Sequence, residues 1–134
     1  MATIHIERTI AASADRVWET LRDFGALHLK TAPGFILDTV VEGDVRTVTF
    51  AGGLVLRERL IAIDDEHRRI VYSILSDTFE HHSASNAVVP LDDGRCRFVW
   101  VVDFLPDGPK ERITAMMDAG IEAIKASMER DARL

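Results

Sequence analysis

The sequence holds a single cysteine, Cys96, in 134 residues. One thiol cannot close an intramolecular disulfide or build a multi-cysteine zinc site. Inside the alternating run RCRFVWVV it reads as a small buried hydrophobe rather than a reactive thiol. No window approaches the ~18 consecutive apolar residues that a membrane-spanning helix requires. The opening MATIHIERTI carries charges every few residues and lacks the apolar stretch of a signal peptide, so a reducing cytoplasm is the expected setting. Basic patterning is missing too. The 16 Lys and Arg are scattered apart from Arg68-Arg69, and the net charge is −6, which argues against nucleic acid and anionic membrane surfaces as partners. There is no Gly-rich phosphate loop, no Ser or Cys nucleophile in a recognisable elbow and no two-histidine zinc helix. The stretch Ala51-Gly52-Gly53-Leu54 is a hairpin turn, not a nucleotide loop. No metal and no cofactor are implied.

What is present is ordinary globular material. Apolar residues make up 47% of the chain and charged residues 28%, too rich in the former for disorder. Repeats, low-complexity tracts and linkers do not occur, and one domain over residues 1–134 is expected, large enough to bury roughly two-thirds of its unfolded surface.

Thr3 to Ile10 alternates apolar and polar and predicts a strand. Ser13 is placed to cap a helix, with Asp15 in its first turn and Val17, Trp18, Leu21 and Phe24 at helical spacing; Gly25 stops it. A short helical turn follows around Ala26 to Lys30. From Phe35 the period changes to two. Phe35–Glu42, Val45–Ala51, Leu54–Ile63, Arg69–Leu75, His81–Leu91 and Arg95–Phe104 read as strands, separated by Gly- and Asp-rich turns. After Leu105-Pro106-Asp107-Gly108-Pro109 one long helix runs to about Arg130. Ile113, Met116, Met117, Gly120, Ile121, Ile124 and Met128 form its single apolar stripe.

The pattern predicts an α+β fold: a seven-stranded antiparallel sheet with two short helices after its first strand and one long C-terminal helix. The sheet has an apolar face to hide and only one long amphipathic helix to cover it. A twisted sheet curls around that helix, but one helix does not fill the concavity. A hollow is expected between them.

This order is similar to the START-like, helix-grip (SRPBCC, birch-pollen-allergen-like) superfamily, and to its bacterial polyketide cyclase/dehydrase branch in particular. The residues that carry the resemblance are Ala11-Ala12-Ser13-Ala14-Asp15-Arg16-Val17-Trp18, Asp23-Phe24-Gly25, Ala32-Pro33-Gly34-Phe35, Arg57-Glu58-Arg59-Leu60, Tyr72-Ser73, Trp100 and Gly120-Ile121. They span nearly the whole chain and specify fold far better than chemistry. Where relatives often carry a Trp after the first helix, this chain reads His28-Leu29-Lys30-Thr31.

The adjacent histidines in FEHHSASN cannot both face one hollow unless a bulge intervenes, because neighbours on a strand point to opposite faces. A two-residue turn at Asp93-Gly94 would pair Leu91 with Cys96, Val89 with Phe98, Ala87 with Trp100, Ser85 with Val102 and Ser83 with Phe104. Cys96, Phe98, Trp100, Val102 and Phe104 make the more apolar face. That register sends His81 inward with Ser83 and Ser85, and His82 outward with Ala84, Asn86, Arg97 and Asp103; a slip of one residue exchanges the two histidines. The alternatives for each are a solvated rim group, a polar group on a cavity wall and, lacking further ligands at fixed spacing, a metal ligand.

His28 sits where the pocket mouth is expected and is equally readable as a surface histidine. Tyr72, the sole tyrosine, needs a partner for its hydroxyl if it faces in. Either Glu58 or its neighbours Arg57 and Arg59 face the hollow, and an inward charge there must be paired or solvated. Asp103 either holds His82 or caps the following turn. The expected wall comprises Trp100, His81, His82, His28, Phe35, Glu58, Tyr72, Ser83, Ser85, Phe98, Val102, Phe104, Met117 and Ile121.

Three functions fit such a chain. It binds a small hydrophobic ligand, aromatic or polyketide-like; or it is a cyclase/dehydratase-type enzyme on the same cavity, with His28, His81 or Tyr72 moving protons; or it is an interaction module, since some superfamily members resemble chaperone-ATPase activators. Ligand identity and oligomeric state, a homodimer included, are left open by the sequence.

Overall fold

The computed structural model describes residues 1–133; Leu134, the last residue of the expected domain, lies outside the described residues. Strand β1 (Ala2–Ile10) leads into helix α1 (Ala14–Leu21) and a π-helical turn at Leu27–Thr31. Six strands follow: β2 (Ile36–Glu42), β3 (Val45–Phe50), β4 (Val55–Asp64), β5 (Arg69–Ile74), β6 (His81–Pro90) and β7 (Cys96–Leu105). Helix α2 (Lys110–Ala132) closes the chain. The seven strands form one antiparallel sheet in the order β1-β7-β6-β5-β4-β3-β2, so the first strand joins the last and the rest is a meander. This is the set of elements that the alternation and the final apolar stripe predict, and the architecture that the helix-grip resemblance implies.

Local chemistry explains the ends of the elements. The Ser13 hydroxyl accepts from the Arg16 backbone N–H at 3.2 Å and Asp15 occupies the first turn of α1. The helix stops at Leu21, a turn before Gly25. Gly25 instead serves a close approach: a Cβ there would lie 3.0 Å from the Val41 side chain.

The two halves of α2 do different work. Ile121, Ile124 and Met128 are buried against Val17, Trp18 and Leu21 of α1 and against Ile10, Ile70 and Phe98 of the sheet. Toward the N-terminal end, Ile113 and Met116 are only partly covered, and the sheet curves away beneath them. The core is therefore closely packed under the C-terminal half of α2, apart from a small void beside Ile124, and open under the N-terminal half.

The β6–β7 register differs from the expected one by one residue. The loop is Asp92–Gly94, three residues rather than two, closed by Leu91 N–H donating to the Arg95 carbonyl at 2.9 Å. Gly94 takes φ +83°, the left-handed third position that such a loop needs, and the Asp93 carboxylate accepts from the Arg95 N–H. Consequently His82 pairs with Phe104, Ala84 with Val102, Asn86 with Trp100 and Val88 with Phe98. His82, Ala84, Asn86 and Val88 face the helix and are buried, while His81 is exposed and Ser83 and Ser85 lie on the outer face.

Candidate functional site

A hollow of about 400 Å³ opens between the N-terminal half of α2 and the central strands. Each strand contributes by alternation: Phe50 from β3, Leu56 and Glu58 from β4, Tyr72 and Ile74 from β5, His82 and Ala84 from β6, Trp100 and Val102 from β7. Ile113, Met116 and Met117 of α2 form the roof, and Phe35 enters from the connection before β2. Exposed residues, Leu54, Ser76, Thr78 and Arg112 among them, ring the mouth. The wall is mostly apolar, with methionines that adapt in shape on one side and an indole on the other. Gly120 lets α2 lie close to that indole, since a Cβ at this position would be 3.3 Å from Trp100 Cζ3.

Three polar groups on this wall have defined environments. Glu58 faces in, and Arg57 and Arg59 face out. The β3–β4 hairpin closes through Gly52 and Gly53, both at positive φ, and sets Arg46 directly opposite Glu58. Arg46 Nε donates to Glu58 Oε1 at 2.7 Å, with the two side chains 5% and 8% exposed. The guanidinium also donates to the Phe24 carbonyl at 3.2 Å and sits 4.4 Å from the Phe24 ring centre and 5.0 Å from that of Tyr72. An inward carboxylate is thus neutralised, one charge against one, at the cavity wall.

Tyr72 is buried, and burial above all, with the neighbouring Glu58 charge adding to it, pushes its phenol well above the ordinary value. It stays protonated. His82 carries the opposite consequence of burial: its pKa falls to about 4, with His81 a lesser cause, so the imidazole is neutral near neutrality. The Ile74 backbone N–H donates to His82 Nδ1 at 3.0 Å, which leaves the proton on Nε2. Phe79 packs against the ring at 4.9 Å between centres. His82, on the wall of the hollow, is therefore not a base near neutral pH.

Of the residues expected on the wall, Trp100, Phe35, Glu58, Tyr72, His82, Val102 and Met117 line the hollow. Phe98, Phe104 and Ile121 face inward but are fully buried in packed core. His81, Ser83 and Ser85, expected inside, are outside because of the register slip. His28 lies away from the wall on the π-helical turn, with Nε2 4.0 Å from Asp38 Oδ1. Asp103 does not hold His82; it accepts from the Thr3 hydroxyl at 2.6 Å. Arg46 was the residue that sequence reasoning missed. Its signal was present in Val45-Arg46-Thr47-Val48, where Arg46 shares the face of Val48, and in the Gly52-Gly53 turn that sets it across from Glu58. Among the described residues no cluster of three or more His, Cys, Asp or Glu is arranged to hold a metal ion. No described helix is long and apolar enough to cross a membrane.

Comparison with known proteins places these features in a context. Residues 1–133 match the family model described as "Polyketide cyclase / dehydrase and lipid transport". Solved structures align over almost the whole chain. The protein XoxI from Bacillus cereus superposes with a TM-score of 0.82 at 20% identity, covering 98% of this chain and 96% of its own. A protein from Thermobifida fusca gives 0.76 at 29% identity, over 97% and 95%. A point mutant of norcoclaurine synthase from Thalictrum flavum, in complex with a transition-state analogue, gives 0.75 at 25% identity, over 97% and 95%. No curated protein matches the chain.

Proposed function

The chain belongs to the polyketide cyclase/dehydrase and lipid transport family, and from that premise we propose that it binds a small hydrophobic ligand, with aromatic character, between the sheet and α2. The observation that carries this reading is the hollow itself. At about 400 Å³ it falls in the size range of small-molecule sites, and it joins apolar walls to a few placed polar groups. An indole edge and two methionines suit a flat aromatic body.

The polar groups favour a carrier over a proton-transfer enzyme. His82 is neutral and Tyr72 stays protonated near neutral pH, so neither stands ready as a base, and the Glu58 carboxylate is engaged by Arg46. Enzymatic cyclisation on the same wall is the second reading. What speaks for it is the alignment with norcoclaurine synthase, a point mutant of which was solved in complex with a transition-state analogue.

The test is titration of the purified chain with 2-ethylnaphthalene, followed by the ligand's fluorescence. Saturable binding of one equivalent is expected, weakened at least tenfold by Trp100→Ala while unfolding in the ligand's absence changes less. Absence of saturable binding both of this compound and of its 2-acetyl analogue, or an affinity untouched by Trp100→Ala, would overturn the proposal.

A further inference from the structure

Behind the main hollow lies a second, inner chamber of about 70 Å³, bounded by Leu27, Thr31, Asn86, Gly120 and Ile124. The two spaces adjoin: Phe35, Phe50, Glu58, Tyr72 and Trp100 line both. The inner one has an unusual population of polar atoms. Thr31 Oγ1, Asn86 Nδ2 and Trp100 Nε1 are all buried, and none makes a hydrogen bond of ordinary geometry within the protein, although the Trp100 indole N–H lies close enough to the Tyr72 hydroxyl to act weakly on it. Thr31 as a whole is 2% exposed and Asn86 8%. Buried polar atoms are nearly always paired, so three orphans around one small chamber point to a partner that is not part of the chain.

Position and chemistry narrow that partner. Asn86 and Trp100 are direct cross-strand partners on β6 and β7, which puts their side chains side by side on the inward face. Both orphan atoms are N–H donors and neither can accept. A single carbonyl oxygen, with two lone pairs, accepts one bond from each. Charge on the incoming group is disfavoured in either sign. Arg46, on the wall of the chamber, and Glu58, on the wall shared with the outer hollow, already cancel, and a buried carboxylate or ammonium would stand uncompensated beside them. Size limits the group further. The chamber has less than half the ~150 Å³ that accommodates benzene and room for about two waters at ~30 Å³ each. It admits a few atoms, not a ring.

We propose that this chamber is a head-group subsite for an uncharged carbonyl, held by Trp100 Nε1–H and Asn86 Nδ2–H, so that the ligand enters polar end first and leaves its apolar body in the outer hollow. The inference rests on the ligand-binding reading above and adds to it an orientation and a chemical class: neutral ketones, esters or quinones rather than hydrocarbons, acids or amines.

The experiment compares three probes that share one body: 2-acetylnaphthalene, 2-ethylnaphthalene and 2-naphthoate. Two added hydrogen bonds at roughly 1 kcal/mol each correspond to about tenfold or more in affinity, so the ketone is expected to bind at least tenfold tighter than the hydrocarbon, and the acid more weakly than the ketone. The carbonyl stretch of bound 2-acetylnaphthalene should shift to lower frequency than in alkane solvent. Asn86→Leu and, separately, Trp100→Phe should each cut the ratio of ketone to hydrocarbon affinity severalfold and move the stretch back. Because the readout is a ratio within one protein, a general loss of stability does not imitate it, and either variant suffices if the other does not fold. Equal binding of ketone and hydrocarbon overturns the subsite and leaves the ligand-binding reading intact. Tighter binding of the naphthoate overturns the neutral head group, and binding of none of the three sinks both readings.

Discussion

Arg46 and Glu58 face each other across β3 and β4 at 2.7 Å, both more than nine-tenths buried, at the edge of a largely apolar hollow. Taking two charges out of water is costly, and their attraction together with the bond from Arg46 to the Phe24 carbonyl offsets that cost. The pair closes the wall without leaving net charge in it. Loss of one member is far worse than loss of both. Glu58→Gln is expected to lower unfolding stability by about 3 kcal/mol, because the guanidinium stays buried without a counter-charge. The double variant Arg46→Met with Glu58→Leu should recover most of that loss. Urea unfolding of the two singles and the double measures the coupling directly. A Glu58→Gln protein as stable as the original would mean that water reaches the pair.

His82 makes stability depend on acidity in a defined window. Its folded-state pKa of about 4 lies below the ordinary 6.5, so between these values the unfolded chain binds a proton that the folded chain refuses. Stability should therefore fall as pH drops from about 6.5 to about 4 and rise in the other direction. At 1.36 kcal/mol per pH unit the full loss is on the order of 3 kcal/mol. Lowered carboxylate values such as those of Asp64, Asp65 and Glu129 act at more acid pH, which leaves the interval from pH 5 to 6.5 to the imidazole. His82→Asn keeps an acceptor for the Ile74 N–H and removes the titration, so the slope over that interval should flatten. His81→Ala, on the exposed face, should leave it in place. The same slope in both variants would show that another group causes it.

The contrast between these two histidines also marks how far the amino-acid pattern could be read. Strand number, the run of six strands in succession and the apolar stripe of α2 follow from periods of two and of 3.6 sustained over long segments, and the hollow follows from having one helix for seven strands; the pairing of β1 with β7 does not. Register did not follow, because it turns on a single loop residue. Asp92-Asp93-Gly94 accommodates a two- or three-residue loop by composition, and only the closing bond from Leu91 to Arg95 decides. The face of Glu58 was open for a related reason. Ile61 is the extra residue of a bulge between Leu60 and Ala62, so alternation along β4 breaks in the middle and both faces look mixed. The inner chamber was beyond reach altogether, since it is built from Thr31, Asn86 and Trp100, which meet only through tertiary packing.

Cys96 supplies a chemical check on the packed side of the molecule, where β7 begins beside Ile10 of β1 and Pro90 of β6. The thiol is fully buried, and burial pushes its pKa up to about 11, so thiolate is scarce at ordinary pH. A disulfide reagent such as DTNB, offered to the folded protein near pH 8, should react with almost none of it within an hour. In denaturant one equivalent should react within minutes. The ligand hollow gives the reagent no route, because Cys96 does not belong to its wall. Reaction of the native protein at a rate close to that of the unfolded chain would require β1 and β7 to part readily in solution. The sheet edge at β1 would then be loose, and the closely packed core under the C-terminal half of α2 could not be the rigid support on which the outer hollow depends.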